Sequence, residues 1–274
     1  MTHAVLSLLK ESRHPMRIDL IGVAGSGMSG LALLLLGLGH KVSGSDKATT
    51  LETERLQKLG LQFFHGHTEK EVEDCDMVIY SSAIKPGNVA YEAAYKQGIP
   101  LIRRAEALAA VMANKKGVVV CGTHGKTTTS ALTAHVLRQG GLKPSHYVGA
   151  EIPILGSNAH WDAEGELFVA EGDESDGTLV NFHPEHAIVL NIEPEHLDFY
   201  DGIEAIKAVF RQVLSQTPGH WVYCAEDPVA SEVCAGPQGV SYGWSRDHDF
   251  SANILSMRPD HSEFEVYQKE QLLG

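Results

Sequence analysis

The sequence has few cysteines, fewer basic than acidic residues and no long apolar stretch, and each scarcity excludes a class of protein. Its four cysteines among 274 residues form no Cys-x-x-Cys pair, so we expect reduced thiols in a cytoplasmic protein rather than a disulfide scaffold. Lys and Arg number 22 against 35 Asp and Glu, a net charge of −13, which disfavours broad binding to nucleic acid or to an anionic membrane. The longest apolar run, at 31–38, is less than half of a membrane span, so we expect no membrane insertion.

Strands and helices alternate along most of the chain, a pattern typical of α/β proteins. In the first half, apolar segments predict strands at 17–23, 40–46, 62–64, 77–80 and 99–102, with helices at 28–38, 51–59 and 89–97. In the second half, strands are predicted at 118–121, 167–170, 187–190 and 221–223, with helices at 127–139 and 203–214, and a tail at 247–269 alternates like strands. This rhythm predicts parallel sheets covered by helices on both faces.

A new strand, glycine turn and helix begin near residue 118, and this restart indicates a second domain. We therefore expect an N-terminal extension at 1–15, a first domain at 16–110 and a second domain at 111–274. Each of the two domains would carry its own glycine turn between its first strand and the helix that follows.

The first glycine turn, Gly25-Ser-Gly-Met-Ser-Gly30, fits the pattern G-x-G-x-x-G, and Asp46 ends the next predicted strand. In such a turn a pyrophosphate approaches the backbone amides at the helix N-terminus, and the acid holds a ribose hydroxyl. The motif alone predicts a dinucleotide-binding dehydrogenase, but NAD, FAD and a nucleotide sugar would all fit it. The structural alternative is that the glycines only let the helix pack closely on the strand.

The second glycine turn, Gly122-Thr-His-Gly-Lys-Thr-Thr-Thr129, carries the strongest functional signal in the sequence. It ends like a P-loop, although Val120 stands where that motif has its first glycine. Backbone amides would surround a phosphate chain, Lys126 would reach the β- and γ-phosphates, and the Thr127 hydroxyl would bind Mg²⁺. A hydride-transfer enzyme does not account for this motif.

Carboxylates and one histidine follow the next two predicted strands. Glu171-Gly-Asp-Glu-Ser-Asp176 follows the strand at 167–170, and Asn191-Ile-Glu-Pro-Glu-His196 follows the strand at 187–190. The carboxyl ends of parallel strands meet at one edge of a sheet, where the metal of a bound nucleotide is usually held. Mg²⁺ prefers oxygen ligands, so His196 would suggest a second metal position. The alternatives are a solvated acidic loop and a histidine without a ligand role.

These motifs occur together, in this order, in a known family. The segments at 22–30, 81–84, 122–129, 171–176 and 191–196 make the chain similar to the Mur ligases of cell-wall synthesis over about residues 16–274. The GTHGKTTT and E-x-D-E-S-D elements are specific to that family, whereas the first glycine turn is not. The resemblance implies an α/β chain in which a P-loop-type, parallel-sheet ATPase domain follows a Rossmann-like UDP-binding domain. It also implies that the first turn holds the diphosphate of a UDP-sugar rather than NAD.

The resemblance implies a role for each matching residue. The ATP-binding residues would be Gly122, Thr123, His124, Gly125, Lys126, Thr127 and Thr128. The residues on the UDP-sugar side would be Gly25, Ser26, Gly27, Met28, Ser29, Asp46, Ser81, Ser82 and Ala83. Thr127 and Glu171 would hold one Mg²⁺, and Glu171 and His196 would hold a second. Lys126, Glu171 and His196 would be the catalytic residues.

The implied activity is an ATP-dependent, Mg²⁺-requiring ligation in peptidoglycan precursor synthesis. The lactyl carboxylate of UDP-N-acetylmuramate takes the γ-phosphoryl group of ATP, and the amine of L-alanine then displaces phosphate from the acyl phosphate. A related ligase that attaches a peptide to the same sugar usually has tyrosine where Ser175 stands, so Ser175 favours alanine addition. An NAD-dependent oxidoreductase and a nucleotide-binding module without turnover are the competing hypotheses. Since family chains are longer and end in an amino-acid-binding domain, we expect this chain to be a fragment that does not ligate alanine by itself.

Overall fold

The computed structural model describes Leu9, residues 14–85 and residues 87–274. The predicted N-terminal extension at 1–15 lies, apart from Leu9, His14 and Pro15, outside the described residues. Packing divides the chain into two compact units, which are Met1–Gly117 with Ser130–Glu171 and Val118–Thr129 with Gly172–Gly274. The predicted domain boundary between 110 and 111 stays a prediction, because these units describe packing alone.

The first unit contains a five-stranded parallel sheet. Its strands are β1 (Arg17–Ile21), β2 (Lys41–Asp46), β3 (Gln62–His65), β4 (Met77–Tyr80) and β5 (Leu101–Arg103). The connecting helices are α1 (Ser26–Gly37), α2 (Leu51–Lys58), α3 (Val89–Gln97) and α4 (Arg104–Met112), with a short 3₁₀ helix at Glu69–Val72. The strand order is β3-β2-β1-β4-β5, and every pairing is parallel. The central strands β1 and β4 are almost wholly buried, as expected for strands covered on both faces.

Local signals start and stop these helices. The Thr50 hydroxyl accepts an amide in the first turn of α2, at 3.2 Å, and the Asn88 side chain accepts the Ala90 amide in the first turn of α3, at 3.0 Å. Gly98 ends α3 with a φ of 70°, a conformation that favours glycine. Side-chain caps satisfy amides that have no partner inside the helix, so the sequence itself sets where these helices begin.

Three further strands also belong to the first unit, namely β7 (Ser145–Tyr147), β8 (Ala159–His160) and β9 (Leu167–Glu171). Strand β7 pairs antiparallel with β8 and parallel with β9. Helix α1 packs against β8 and the residue that follows it. A Cβ atom at Gly37 would lie only 2.5 Å from the Cβ of Trp161, so glycine is required for this close approach.

The second unit carries the second glycine turn, which joins β6 (Lys116–Cys121) to α5 (Lys126–Gln139). Helix α5 belongs to this unit as far as Thr129 and to the first unit from Ser130 onward. Its other strands are β10 (His186–Val189), β11 (Trp221–Cys224), β12 (Gly239–Gly243), β13 (Phe250–Met257), β14 (Ser262–Gln268) and β15 (Gln271–Leu272). Its other helices are α6 (Ile203–Ser215) and α7 (Pro228–Cys234), with a 3₁₀ helix at Thr178–Asn181. Strands β6, β10, β11, β12 and β13 pair in parallel in that order, and β14 and β15 continue antiparallel. The register aligns Val189 with Cys121, so the loops after β10 and β6 leave the sheet side by side.

The predicted fold class is confirmed, since parallel strands connected by helices form the core of the chain. The alternating tail forms β13 and β14, as predicted. The sequence does not predict α4, α7, β7, β8 or β12, most of which are short. Among the described residues, no helix is long and apolar enough to cross a membrane.

Candidate functional site

The first glycine turn lies at the carboxyl edge of the five-stranded sheet. The register places the last residue of β1 beside the ends of β2 and β4. The predicted residues at 25–29, Asp46 and 81–83 follow or end these strands. The Ser81 hydroxyl accepts the Ala83 amide at 3.2 Å, which closes the turn after β4. The structure therefore brings all the residues predicted for the UDP-sugar side to one edge.

Helix α1 opens with amides that no side chain among the described residues caps. These are the amides of Ser26, Gly27 and Met28, which have no acceptor within the helix. Asp46 accepts a different amide of the turn: its Oδ2 accepts the Ala24 amide at 3.0 Å, which fastens the turn to the end of β2. Uncapped amides at the positive end of a helix are typical of phosphate-binding turns.

Packing against neighbouring side chains favours glycine at two positions of the first turn. A Cβ atom at Gly27 would lie 3.0 Å from the hydroxyl oxygen of Tyr147 and 3.1 Å from Nη1 of Arg104. A Cβ atom at Gly30 would lie 3.1 Å from Nδ2 of Asn158. These neighbours lie on β7, on α4 and just before β8, not on β1. The glycines thus let other segments of the same unit approach α1, in addition to any ligand.

Four hydrogen bonds fasten the second glycine turn to the loop after β10. The backbone carbonyl of Asn191 accepts the Thr123 amide at 3.0 Å. The Asn191 side chain accepts the His124 amide at 2.7 Å and donates to the His124 carbonyl at 3.1 Å. The amide of Glu193 donates to the Thr123 hydroxyl at 2.9 Å. Gly122 has a φ of 140°, and a Cβ there would lie 3.0 Å from the backbone N and O of Asn191. The close packing of the turn on Asn191 therefore requires glycine at this position.

Lys126 begins α5 and folds back over the turn. Its Nζ donates to the carbonyl oxygens of Gly122 at 2.7 Å and Thr123 at 3.0 Å, and to Oε1 of Glu174 at 2.8 Å. The ion pair is buried, with side chains 17% and 4% exposed. Burial raises the pKa of Glu174, against the opposing effect of the hydrogen bond and charge of Lys126. A triphosphate that binds Lys126 would therefore have to replace Glu174 as its partner.

Glu174 also belongs to a group that could hold a metal ion. One ligand atom each of Glu174, Glu195 and His196 lies within 4.8 Å of the others. Oε2 of Glu174 is buried and has no hydrogen-bond partner among the described residues. Carboxylates suit a hard divalent cation, while the imidazole makes the set less selective for Mg²⁺. The donor set therefore fits a divalent cation.

The structure assigns different surroundings to the predicted metal ligands. His196 lies in this acidic group and has a φ of 54°. Glu171, the last residue of β9, accepts the Gly149 amide on Oε2 at 2.6 Å, and Thr127 lies in the first turn of α5. The pairings Thr127 with Glu171 and Glu171 with His196 stay predictions. Glu174 and Glu195 are not among the predicted site residues, although both lie in acidic motifs that follow strands.

Comparisons with known proteins account for these features together. The family model "Mur ligase family, catalytic domain" matches residues 17–116, and "Mur ligase middle domain" matches residues 120–272. A UDP-N-acetylmuramate–L-alanine ligase of Sorangium cellulosum is 42% identical over 261 residues, which is 94% of this chain and 55% of the relative. The ligase of the same name from Pelotomaculum thermopropionicum is 38% identical over 271 residues, 97% of this chain and 58% of the relative. The chain thus spans little more than half the length of these curated relatives.

Solved structures have the same fold. The UDP-N-acetylmuramate–alanine ligase of Thermotoga maritima aligns with a TM-score of 0.82 and 28% identity, over 93% of this chain and 59% of that chain. A UDP-N-acetylmuramate:L-alanyl-γ-D-glutamyl-meso-diaminopimelate ligase from Neisseria meningitides aligns with a TM-score of 0.83 over 94% of this chain and 86% of that chain. Its identity is 24%, so this likeness concerns the fold alone. With two family models matched in succession along it, the chain belongs to the Mur ligase family.

Proposed function

We propose that the chain forms the UDP-sugar-binding and ATP-binding parts of a ligase that joins L-alanine to UDP-N-acetylmuramate. The observation that carries the proposal is the second glycine turn, in which a partly buried lysine lies over a loop fastened at four points. Relatives at 38–42% identity over nearly the whole chain bear the name of that ligase. Two phosphate-type turns in one chain suit a reaction that needs both a sugar nucleotide and ATP.

The proposed reaction activates a carboxylate before the amide forms. A lactyl carboxylate oxygen attacks the γ-phosphorus of ATP, the bond from that phosphorus to the β–γ bridging oxygen breaks, and ADP leaves. The amine nitrogen of L-alanine then attacks the carbonyl carbon of the acyl phosphate, inorganic phosphate leaves, and the nitrogen loses a proton. ATP is needed because a carboxylate is a poor electrophile and its acyl phosphate is a good one.

In this proposal the chain's own residues bind and orient the two nucleotides. Lys126 would exchange Glu174 for the γ-phosphate, since a charged donor stabilises developing phosphoryl charge more than a neutral one. The amides of the second turn would surround the phosphate chain, and the uncapped amides of Gly27 and Met28 would bind the diphosphate of the sugar nucleotide. The backbone amides of both turns would be in place before a ligand arrives, and the exchange of partners at Lys126 would be the main rearrangement on binding.

A divalent cation would be held by His196 with carboxylates from the loops after β9 and β10. Glu174 and Glu195 have the geometry for it, and Thr127 and Glu171 are the ligands that the family resemblance implies. When bound, the cation would offset negative charge on the transferring phosphoryl group. Calorimetric titration with Mn²⁺ alone should detect this site, and His196→Ala should weaken that binding.

Calorimetric binding to this 274-residue chain tests the function directly. We expect UDP-N-acetylmuramate to bind, Mg²⁺–ATP to bind, and NADH to give no heat. Phosphate release from ATP with UDP-N-acetylmuramate, measured with and without L-alanine or a peptide, then identifies which amine, if any, the chain uses. Binding of NADH together with no binding of UDP-N-acetylmuramate would overturn the ligase proposal in favour of an oxidoreductase.

A further inference from the structure

Two buried side chains from distant parts of the sequence contact the first turn of α1. The Tyr147 hydroxyl donates to the carbonyl oxygen of Gly27 at 2.9 Å, and Nδ2 of Asn158 donates to the carbonyl oxygen of Ser26 at 2.7 Å. Tyr147 is 4% exposed and Asn158 is 6% exposed. Tyr147 ends β7 and Asn158 directly precedes β8, so one strand pair supplies both contacts.

Each contacted carbonyl shares a peptide group with an amide at the start of α1. The Ser26 carbonyl belongs to the same peptide plane as the Gly27 amide, and the Gly27 carbonyl to the same plane as the Met28 amide. A hydrogen bond to a carbonyl fixes the orientation of that plane and polarises it, which makes the N–H a stronger donor. The two side chains therefore act on the very amides that the helix leaves without an internal acceptor.

A cation strengthens one of these contacts. Nη1 of Arg104, at the start of α4, donates to the Tyr147 hydroxyl oxygen at 2.9 Å. A charged donor polarises the hydroxyl, and the hydroxyl in turn polarises the Gly27 carbonyl, because hydrogen bonds in a chain reinforce one another. Side chains at 27 and 30 would lie 3.0–3.1 Å from Tyr147 and Asn158, so the glycines of the motif make room for these contacts.

A small cavity adjoins the same turn. Its volume is about 210 Å³, and its lining includes Ala24, Ser26, Ser29 and Asn158. Asn158 thus contacts the turn and also faces open space beside it. A ligand bound at the amides of α1 would lie within reach of this space.

We infer that Tyr147 and Asn158 are positioning residues that orient the Gly27 and Met28 amides toward the diphosphate of the UDP-sugar. The inference rests on the proposed function, since it assumes that the first turn binds a uridine diphosphate. It also means that the diphosphate site depends on residues at 145–160, beyond the 17–116 segment that matches the first family model.

Tyr147→Phe tests the inference, because phenylalanine keeps the ring against α1 and removes only the hydroxyl. We expect the affinity for UDP to fall roughly twofold to fivefold, at most the effect of one neutral hydrogen bond, because Tyr147 acts through the Gly27–Met28 peptide group rather than on UDP itself. The affinities for uridine and for Mg²⁺–ATP should stay unchanged. Asn158→Leu should act in the same direction. Tyr95→Phe is the matched control, since Tyr95 is 70% exposed, and it should change none of the three affinities. In an NMR titration with UDP, the Gly27 and Met28 amide shifts should move less in Tyr147→Phe than in the unchanged chain.

The outcomes separate the inference from the proposed function. Binding of UDP to Tyr147→Phe and Asn158→Leu as tightly as to the unchanged chain would overturn the inference alone. Equal loss of uridine and UDP would overturn it too, because the side chains would then support the whole unit rather than the diphosphate amides. Failure of the unchanged chain to bind UDP, uridine or UDP-N-acetylmuramate would overturn the proposed function, and the inference with it.

Discussion

The two glycine turns both follow a buried strand and open a helix, yet the protein holds them in different ways. Side chains hold the first turn, since Tyr147 and Asn158 donate to its carbonyls and its amides stay uncapped. In the second turn the Asn191 side chain accepts an amide as well as donating to a carbonyl, and the lysine of the turn pairs with a buried glutamate. A glycine motif shows that something approaches the backbone closely. In the first turn, the group that approaches the backbone closely includes other segments of the protein, even though the motif is typical of nucleotide-binding turns.

The largest expected difference between the turns concerns charge. Lys126→Ala removes the cation of the second turn and should weaken Mg²⁺–ATP binding roughly 100-fold, as expected for a charged hydrogen bond to phosphate. UDP-N-acetylmuramate binding should not change, because Lys126 bonds to the backbone of its own turn and to Glu174. Calorimetry with both ligands measures this, with Lys143→Ala as control, since the Lys143 side chain is 59% exposed in a surface ion pair. An equal loss of both ligands in a variant that still unfolds cooperatively in urea would contradict the assignment of separate nucleotides to the two turns.

The next difference concerns backbone strain. Gly122→Ala should destabilise the fold by about 2–3 kcal/mol, because its φ of 140° disfavours a side chain and the new Cβ would meet the Asn191 backbone. Gly27→Ala should cost about 1 kcal/mol or less, since its φ is ordinary and the atoms nearest to the new Cβ are the ends of the Tyr147 and Arg104 side chains rather than backbone.

Urea unfolding of these variants compares them on one scale. Gly141→Ala is the matched control for strain without a clash, since Gly141 has a φ of 80° and no atom within 4 Å of its would-be Cβ. Its cost should be close to 1 kcal/mol. A cost at Gly122 no larger than that at Gly141 would mean that the second turn can move away from Asn191.

Much of this fold is predictable from local sequence. Strand β4 and helix α3 have the bounds that the sequence predicts, because an apolar run of four residues and an Asn88 cap are unambiguous. Strands β7 and β8 are three and two residues long, too short to show an alternating pattern. The contacts of Tyr147 and Asn158 therefore could not be predicted, since they join residues 120 and 132 positions apart.

The candidate site, too, is predictable from the sequence where its residues lie in one local motif and not where they come from separate segments. The position of Lys126 follows from the motif, because a strand, a glycine turn and a helix in succession fix the backbone that carries this lysine. The choice among the carboxylates at 171–176 depends instead on the path of the chain after β9. That path places Glu174 against Lys126 and beside His196, and no spacing rule distinguishes Glu174 from its acidic neighbours.

The buried carboxyls near the two turns should differ in their response to pH. Asp19 lies in β1, which leads into the first turn, and burial raises its pKa from 3.8 to about 7. Because its pKa is raised, Asp19 binds a proton more tightly in the folded chain than in the unfolded chain. Its contribution to the free energy of unfolding is therefore complete below pH 3.8 and is lost as the pH rises through 7. Asp19→Asn removes this titration. The free energy of unfolding of the variant, measured relative to that of the unchanged chain, should therefore rise by about 2.5 kcal/mol from pH 5 to pH 8. Urea unfolding at the two pH values measures the gain.

Glu174→Gln provides the comparison at the second turn. Burial raises the pKa of Glu174 too, but the charge and hydrogen bond of Lys126 oppose the rise. From pH 5 to pH 8 the free energy of unfolding of Glu174→Gln, relative to the unchanged chain, should therefore rise less than that of Asp19→Asn. A larger pH effect at Glu174 than at Asp19 would contradict the view that Lys126 neutralises Glu174.

A smaller effect on ATP binding than that of Lys126→Ala is expected for the Asn191 side chain, which fastens the second turn. Asn191→Ala removes two hydrogen bonds to the His124 backbone and should destabilise the fold by about 1 kcal/mol, because water can reach the exposed His124 groups. Mg²⁺–ATP binding should weaken severalfold, since the loop would have to be ordered on binding, while UDP binding should stay as it is. Asn191→Asp keeps the acceptor for the His124 amide and loses the donor, so its effect should be intermediate. If ATP binds Asn191→Ala as tightly as the unchanged chain, Lys126 and Gly122 shape the second turn without the Asn191 side chain, whereas we expect the first turn to depend on Tyr147 and Asn158.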